Sequence, residues 1–134
     1  MGRNGNGGFI PELEGKFYII RVELTAAAGA STSTTPAEQV GPFPFRWEEL
    51  GAVWDDTKGD WRVKVTDNGE DETFMPKQVK VAGLIGSSDK APYRLRKPHV
   101  FGGGSAIMVE ATNDGTDADT LELLFIGTRL PART

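Results

Sequence analysis

Residues 61–69 read WRVKVTDNG, and this stretch decides the fold. Apolar and polar side chains alternate through WRVKVT, which is the two-residue period of a strand with one buried face. The DNG that follows supplies the residue types that close a tight turn between two strands. The stretch therefore predicts a half-buried β-strand that ends in a hairpin turn.

Similar short strand patterns recur along the chain. The clearest is Phe17–Leu24, in which Tyr18, Ile20, Val22 and Leu24 share one face. The other predicted strands are Phe43–Trp47, Lys77–Leu84, Tyr93–Phe101, Ala106–Ala111 and Leu121–Leu130.

Proline and the absence of helical periodicity complete the fold prediction. Pro44 predicts that Phe43–Trp47 is an edge strand, and Glu48–Gly51 is expected to turn. No stretch keeps a sustained apolar period of 3.6 residues, so alternating βαβ units are not expected. The pattern predicts an all-β protein with a single β-sandwich or jelly-roll-like domain.

Two polar segments fall outside this strand pattern. Residues 1–15 contain Gly2, Gly5, Gly7 and Gly8 and are predicted to form a flexible, extended N-terminal arm. The sandwich domain is expected over 16–134. Within it, residues 25–42 are predicted to be a long polar loop, either a plain surface loop or a contact loop.

Composition excludes several classes of function. The chain has 134 residues, a net charge of −4 and no cysteine. The absence of cysteine excludes disulfides, thiolate metal sites and cysteine nucleophiles. A mildly acidic chain is a poor binder of nucleic acid, which needs basic patches. No apolar run has the length of a membrane span, so no membrane association is expected.

Few residues suggest catalysis. His99 is the only histidine and could join Ser105 and an aspartate in a catalytic triad, but a surface or strand-edge histidine is the preferred interpretation. Glu48 and Glu49 are adjacent, so on a strand they would point to opposite faces. Gly102–Gly104 lacks the lysine and helix of a phosphate loop and is predicted to turn. We expect no enzymatic activity, no catalytic residues and no cofactor.

Two acidic turns are weak candidates for calcium. The first loop, between residues 112 and 119, carries Asp114, Asp117 and Asp119. Calcium needs several oxygen ligands from a short loop, but this spacing does not match the EF-hand pattern. The second turn contains Asp67, Glu70, Asp71 and Glu72. Ordinary solvated charge is the preferred interpretation of both, and whether Asp114–Asp119 binds calcium stays open.

Aromatic and charged clusters suggest ways of binding a partner. The aromatic residues Phe43, Phe45, Trp47, Trp54 and Trp61 are predicted to supply core area rather than a sugar-stacking platform. A basic strip contains Arg94, Arg96, Lys97 and His99, and an acidic region contains Asp114, Asp117, Asp119 and Glu122. If these lie on opposite sides, copies of the chain could pack head to tail, but ordinary surface charge is the preferred interpretation.

The C-terminal half resembles small virion proteins of tailed bacteriophages. The resemblance runs from Trp61 to Leu130. It rests on the strand and turn at 61–69, on Gly86, Pro92–Leu95 and Pro98, on the glycine turn, and on the last strands with Ile107–Val109, Asn113 and Leu123–Leu130. Proteins with this pattern are β-sandwich head decoration, minor capsid, vertex or head-to-tail connector components, and they bring no catalytic residues.

The resemblance implies a non-enzymatic structural role in the virion. The expected partners are the major capsid protein and portal, neck or vertex proteins, together with other copies of the chain in a homo-oligomer. The arm, the loops and the sheet surface would carry these contacts. The alternative is a carbohydrate-binding or adhesin-type module with Trp47, Trp54 or Trp61 as its stacking platform.

Overall fold

The computed structural model describes residues 15–34, 37–70, 72–85 and 92–131. Over these ranges the chain is a β-sandwich of two antiparallel sheets with one short helix. The strands are β1 (Lys16–Ala26), β2 (Ser31–Ser33), β3 (Glu38–Gln39), β4 (Phe45–Val53), β5 (Trp61–Asp67), β6 (Glu72–Thr73), β7 (Val79–Lys80), β8 (Tyr93–Phe101), β9 (Ala106–Asn113) and β10 (Asp119–Arg129), and the helix is α1 (Val81–Ile85). The all-β prediction is confirmed. Of the predicted arm, only Gly15 is described, and residues 1–14 lie outside the described residues.

The first sheet has four strands in the order β1-β10-β4-β8. Alternation along β1 buries Ile20, Val22 and Leu24, as predicted. The prediction that Phe43–Trp47 is an edge strand is wrong, because β4 lies between β10 and β8. Pro44 comes just before the strand begins, so its missing N–H removes no hydrogen bond from the ladder.

A β-bulge in β4 replaces the turn that was predicted at Glu48–Gly51. The register shifts between Trp47 and Glu49 on one side of β4 and between Ile126 and Gly127 on the other. Trp47 and Leu50 both point into the core, so the two residues between them both point outward. The prediction of opposite faces for Glu48 and Glu49 is therefore wrong.

The second sheet has six strands. Its main order is β2-β9-β5-β6, and β3 also pairs with β9 while β7 also pairs with β5. The prediction of a continuous loop over 25–42 is wrong, since β1 extends to Ala26 and both β2 and β3 fall inside that range. These strands form because backbone groups along one side of β9 are free to pair with them. In addition, Val109 N donates a hydrogen bond to Thr34 Oγ1 at 3.0 Å.

The strand predicted over Lys77–Leu84 is mostly wrong. Only Val79 and Lys80 pair with β5. The chain then forms one helical turn, α1, whose two buried side chains are Val81 and Ile85, four residues apart. That spacing places both on one helical face, where they cover the core.

The core lies between the two sheets and is rich in aromatic rings. Trp47 contacts Phe125 and Phe101 with ring centroids 5.0 and 6.0 Å apart. Trp54 and Trp61 are also buried, as is Phe45. The prediction that these aromatic residues supply core area is confirmed for all of the set except Phe43, which is half-buried. A stacking platform needs exposed rings, so these three tryptophans do not form one.

Candidate functional site

A buried polar cluster connects the two sheets at one end of the sandwich. Asp67, at the end of β5, is 0% exposed. Its Oδ1 accepts a hydrogen bond from Ser105 Oγ at 2.6 Å, and its Oδ2 lies 2.7 Å from His99 Nε2. His99 belongs to β8 in the other sheet, and Ser105 precedes β9. We call Asp67, His99 and Ser105 the inter-sheet cluster.

The inter-sheet cluster contains the residue types of a catalytic triad in a different order. In a triad, histidine lies between serine and aspartate and takes the proton of the serine. Here aspartate lies in the middle, and the Ser105 hydroxyl donates to Asp67 rather than to His99. Ser105 is also buried. The arrangement holds the serine in place, and the group that accepts its proton is a carboxylate of lowered pKa, which is a weak base.

Hydrogen bonds keep the buried carboxyl group of the cluster ionised. Burial by itself raises the pKa of Asp67, but the bonds from Ser105, His99 and the backbone amides of Glu70 and Gly69 outweigh it, so the pKa lies below its ordinary value of 3.8. The two amides donate to Oδ1 at 3.3 and 3.0 Å and form the turn that the DNG sequence predicted. The prediction of a solvated acidic turn is wrong for Asp67. Asp71 lies outside the described residues.

The histidine of the cluster faces inward, although it lies on an edge strand. Its side chain is 17% exposed. The ring packs edge-on against Phe74 and Phe101, with centroids 4.6 and 4.8 Å away. The predicted strand-edge location is correct, but the surface location is wrong.

A cleft of about 370 Å³ opens beside this histidine. It is lined by Trp47, Glu72, Phe74, Leu95, Lys97, Pro98 and His99. Glu72 Oε1 lies 4.0 Å from His99 Nδ1, at the limit of an ion pair. The lining is mainly apolar, and its charged side chains Glu72 and Lys97 are exposed.

The acidic loop between β9 and β10 is held by internal partners. Asp114 accepts from Arg62 Nη2 and Lys80 Nζ, both at 3.2 Å, and the Arg62 bond is the main reason that its pKa falls to about 2. Asp119 Oδ2 accepts from Trp61 Nε1 at 3.0 Å. Among the described residues, no group of three acidic or histidine side chains is placed to hold a metal ion.

A second buried polar residue organises this loop. Asn113 is 0% exposed. Its Nδ2 donates to the carbonyl oxygens of Ala26 and Asp117 at 3.2 and 2.9 Å. Its Oδ1 accepts from the amides of Asp60 and Gly115 at 3.2 and 2.9 Å. One side chain thus ties β1, the segment before β5 and the β9–β10 loop together.

The charges of the predicted head-to-tail contact are largely used within the chain. His99 points into the core, so it is not part of an exposed basic strip. Glu122 pairs with Arg21, and Asp114 pairs with Arg62. Arg94 lies 3.6 Å from Glu49 and is 83% exposed. Two of the four acidic side chains of that contact are therefore paired within the chain, while Arg94 on the basic side stays exposed.

The outward side of the four-stranded sheet carries an apolar patch that the sequence predictions missed. Phe17 and Ile19 of β1 are 74% and 44% exposed, and Val53 of β4 is 50% exposed. Ile19 pairs with Ile126 of β10, and the side chains of Leu124 and Ile126 both pack over Gly51 of β4. We call this surface the outer face; its members are Phe17, Ile19, Val53, Leu124 and Ile126.

Charged pairs surround the outer face. At one end Arg21 bonds to Glu122 and, at 2.7 Å, to Glu23. At the other end Arg46 Nε bonds to Glu48 at 2.7 Å. An apolar centre with a polar rim is typical of a protein contact surface.

The six-stranded sheet presents a different surface. An open groove of about 510 Å³ is lined by Ser31, Thr32, Ser33, Gln78, Met108 and Glu110. The Gln78 Oε1 atom is buried and has no hydrogen-bond partner among the described residues. The groove is polar, in contrast to the outer face.

The structure thus brings together His99, Ser105 and Asp67 but leaves the acidic loop and the basic strip as separate features. The outer face could have been found from Phe17 and Ile19, which are apolar on the side of β1 that also carries Arg21 and Glu23. Within the described residues, no helix is long and apolar enough to cross a membrane. No protein-family model matches the chain, and no curated protein is significantly similar to it. The likeness to tailed-phage proteins therefore stays a prediction.

Proposed function

We propose that this chain is a non-enzymatic structural protein of a tailed-phage virion. It binds capsid, vertex or neck proteins, and other copies of itself, through its arm, loops and sheet surface. The observation that carries the proposal is the outer face, because contiguous apolar surface on a soluble protein usually marks a contact with another protein. The resemblance of residues 61–130 to virion components supplies the kind of partner.

The rest of the molecule supports a scaffold rather than a reaction centre. The groups with catalytic potential, Asp67, His99 and Ser105, bond to one another between the sheets. A site for nucleophilic catalysis by serine needs the hydroxyl within reach of an activating base and open to substrate. The inter-sheet cluster instead fixes the two sheets relative to each other, and a rigid sandwich presents the outer face in a defined shape.

Mass spectrometry of purified particles tests the proposal. We expect the chain to be present in intact virions of the phage that encodes it, in a fixed ratio to the major capsid protein. Its absence from intact particles overturns the proposal.

A matched pair of variants tests the contact surface. Ile19 and Val100 are 44% and 45% exposed, but only Ile19 belongs to the outer face. We expect Ile19→Lys to be lost from particles, because a buried charge opposes the contact, and Val100→Lys to be retained. Both purified variants should unfold at the same urea concentration as the wild type. Equal retention of both would show that the outer face is not the contact.

A further inference from the structure

The turn after β5 contains a pair of residues that is chemically reactive in water. Residues 67–70 read DNGE, and both Asn68 and Gly69 are exposed. In an Asn–Gly pair the backbone nitrogen of the glycine can attack the side-chain carbonyl carbon of the asparagine, because glycine has no side chain to obstruct the approach. The residues that predicted the hairpin turn are therefore also those of a deamidation site.

The reaction at this pair consumes one water molecule and releases ammonia. The Gly69 nitrogen gives its proton to a base in the solvent as its bond to Asn68 Cγ forms. The bond between Cγ and Nδ2 breaks, and the leaving nitrogen takes up a proton. Water then opens the cyclic imide at one of its two carbonyl groups. Opening at Cγ gives aspartate, and opening at the main-chain carbonyl gives isoaspartate.

The inter-sheet cluster is the reason that residue 69 is a glycine. A Cβ atom at Gly69 would lie 2.3 Å from Ser105 Oγ and 2.8 Å from Ser105 Cβ, which is far inside van der Waals contact. Ser105 is held against the turn, because it is buried and its Oγ donates to Asp67 Oδ1 at 2.6 Å. The packing of the cluster thus gives Asn68 the neighbour that obstructs the reaction least.

The same cluster also holds the nucleophile of the reaction. The Gly69 amide donates to Asp67 Oδ1 at 3.0 Å and to Ser105 Oγ at 3.2 Å. The amide must lose this proton before its nitrogen can attack, and a carboxylate beside it disfavours the negative charge that would result. On the other side of the asparagine, the Asn68 amide donates to the Ala106 carbonyl oxygen at 2.8 Å. The folded turn therefore opposes ring closure.

We infer that Asn68–Gly69 is a self-modification site that the inter-sheet cluster holds inactive. It reacts at the rate of an unfolded chain only in molecules whose cluster has opened. Asp67 then has two roles, since it joins the sheets and protects the turn beside it. Isoaspartate adds one atom to the main chain, so a modified turn cannot restore the Gly69 hydrogen bonds in the same geometry. The inference does not depend on the proposed function, because the reaction needs only water.

Peptide mapping by mass spectrometry tests the protection. The purified full chain is incubated in a mildly alkaline buffer, folded or in urea, and the conversion of Asn68 is followed with time. We expect conversion in the folded chain to be at least about tenfold slower than in urea. Asn4–Gly5 and Asn6–Gly7 in the urea sample give the rate of an unfolded Asn–Gly pair. Equal rates at Asn68 in the two samples overturn the inference.

A matched pair of variants separates the cluster from folding as a whole. Asp67→Asn removes the charge beside the Gly69 amide, whereas Ile20→Ala weakens the core on β1 and leaves the turn intact. Urea denaturation gives the unfolded fraction of each variant, and the rate of conversion at Asn68 is corrected for it. We expect the corrected rate to rise at least about tenfold in Asp67→Asn and to stay at the wild-type value in Ile20→Ala.

Ser105→Ala gives the same comparison with a smaller disturbance. It removes one acceptor of the Gly69 amide and keeps the Asp67 carboxylate, so we expect a smaller rise in the corrected rate. It also keeps the test decisive if Asp67→Asn does not fold. Corrected rates in the cluster variants that equal that of Ile20→Ala overturn the inference, because folding as a whole would then protect Asn68.

Discussion

The inter-sheet cluster and the outer face reverse the usual distribution of polar and apolar groups. Asp67, a charged residue, is completely buried, whereas Phe17 is 74% exposed. The buried carboxylate is stable because four donors satisfy it. The exposed ring has no such compensation within the described residues. If, as proposed, the outer face serves contact while the cluster serves folding, changes in the two regions should affect different measurements.

Removal of the buried carboxylate should have the largest effect. Asp67→Ala leaves the Ser105 hydroxyl, His99 and two backbone amides without their acceptor, so we expect a loss of about 3–5 kcal/mol in the free energy of unfolding. Urea denaturation measures it. The control is Asp117→Ala, an exposed aspartate in the β9–β10 loop, which should change stability by less than about 0.5 kcal/mol. Similar values for the two would mean that the cluster does not hold the sheets together.

Asn113, which is also 0% exposed, should be nearly as sensitive. Asn113→Asp keeps the shape of the side chain but replaces a donor that faces two carbonyl oxygens with an acceptor. We expect a cost of about 2–3 kcal/mol, because both carbonyl groups lose their partner and face a negative charge. Asn68→Asp, in the exposed turn after β5, is the control and should change stability little. Equal stability of the two variants would contradict the role of Asn113.

The sequence contained the signal for the burial of Asp67 and Asn113. Asp67 continues the every-second-residue series of Trp61, Val63 and Val65, so the alternation that predicted β5 also points its carboxylate inward. Asn113 follows Ile107, Val109 and Ala111 in the same way. The turn residues after Asp67 and the polar loop after Asn113 favoured solvent-exposed side chains at both positions. The two-residue period of the strands instead points both side chains inward.

Other elements could not be predicted from local pattern. The short strands β2 and β3 are polar and exposed, and they exist only because β9 offers free backbone groups. The bulge in β4 depends on Gly127 across the ladder, where a Cβ atom would overlap the Arg46 carbonyl oxygen. Both depend on pairing between distant residues, which periodicity within one segment does not contain. Strands β1 and β5, by contrast, follow from the alternation of apolar and polar residues within each segment.

Acid should weaken the interactions of the Asp67 and Asp114 carboxylates while leaving the apolar side chains of the outer face unchanged. Asp114 titrates at about 2 and Asp67 below 3.8 in the folded protein, both lower than in the unfolded chain. Their stabilisation is complete above the unfolded pKa and is lost as the pH falls through the folded values. We therefore expect the urea midpoint to fall between about pH 4 and pH 2, by linkage. Asp114→Asn should make this fall shallower, and an identical slope would show that its ion pairs do not contribute.

The smallest effect is expected on the outer face, where two neighbouring isoleucines give a direct comparison. Ile20 is 6% exposed in the core, and Ile19 is 44% exposed on the outer face. Ile20→Ala should cost about 2–5 kcal/mol, because it removes buried methyl groups and leaves a cavity. Ile19→Ala should cost about 1 kcal/mol or less, since its side chain is already largely in contact with solvent. Urea denaturation of the two variants under one condition measures the difference. A large cost at both positions would mean that the outer face is part of a second core, and its proposed role as a contact surface would then be wrong.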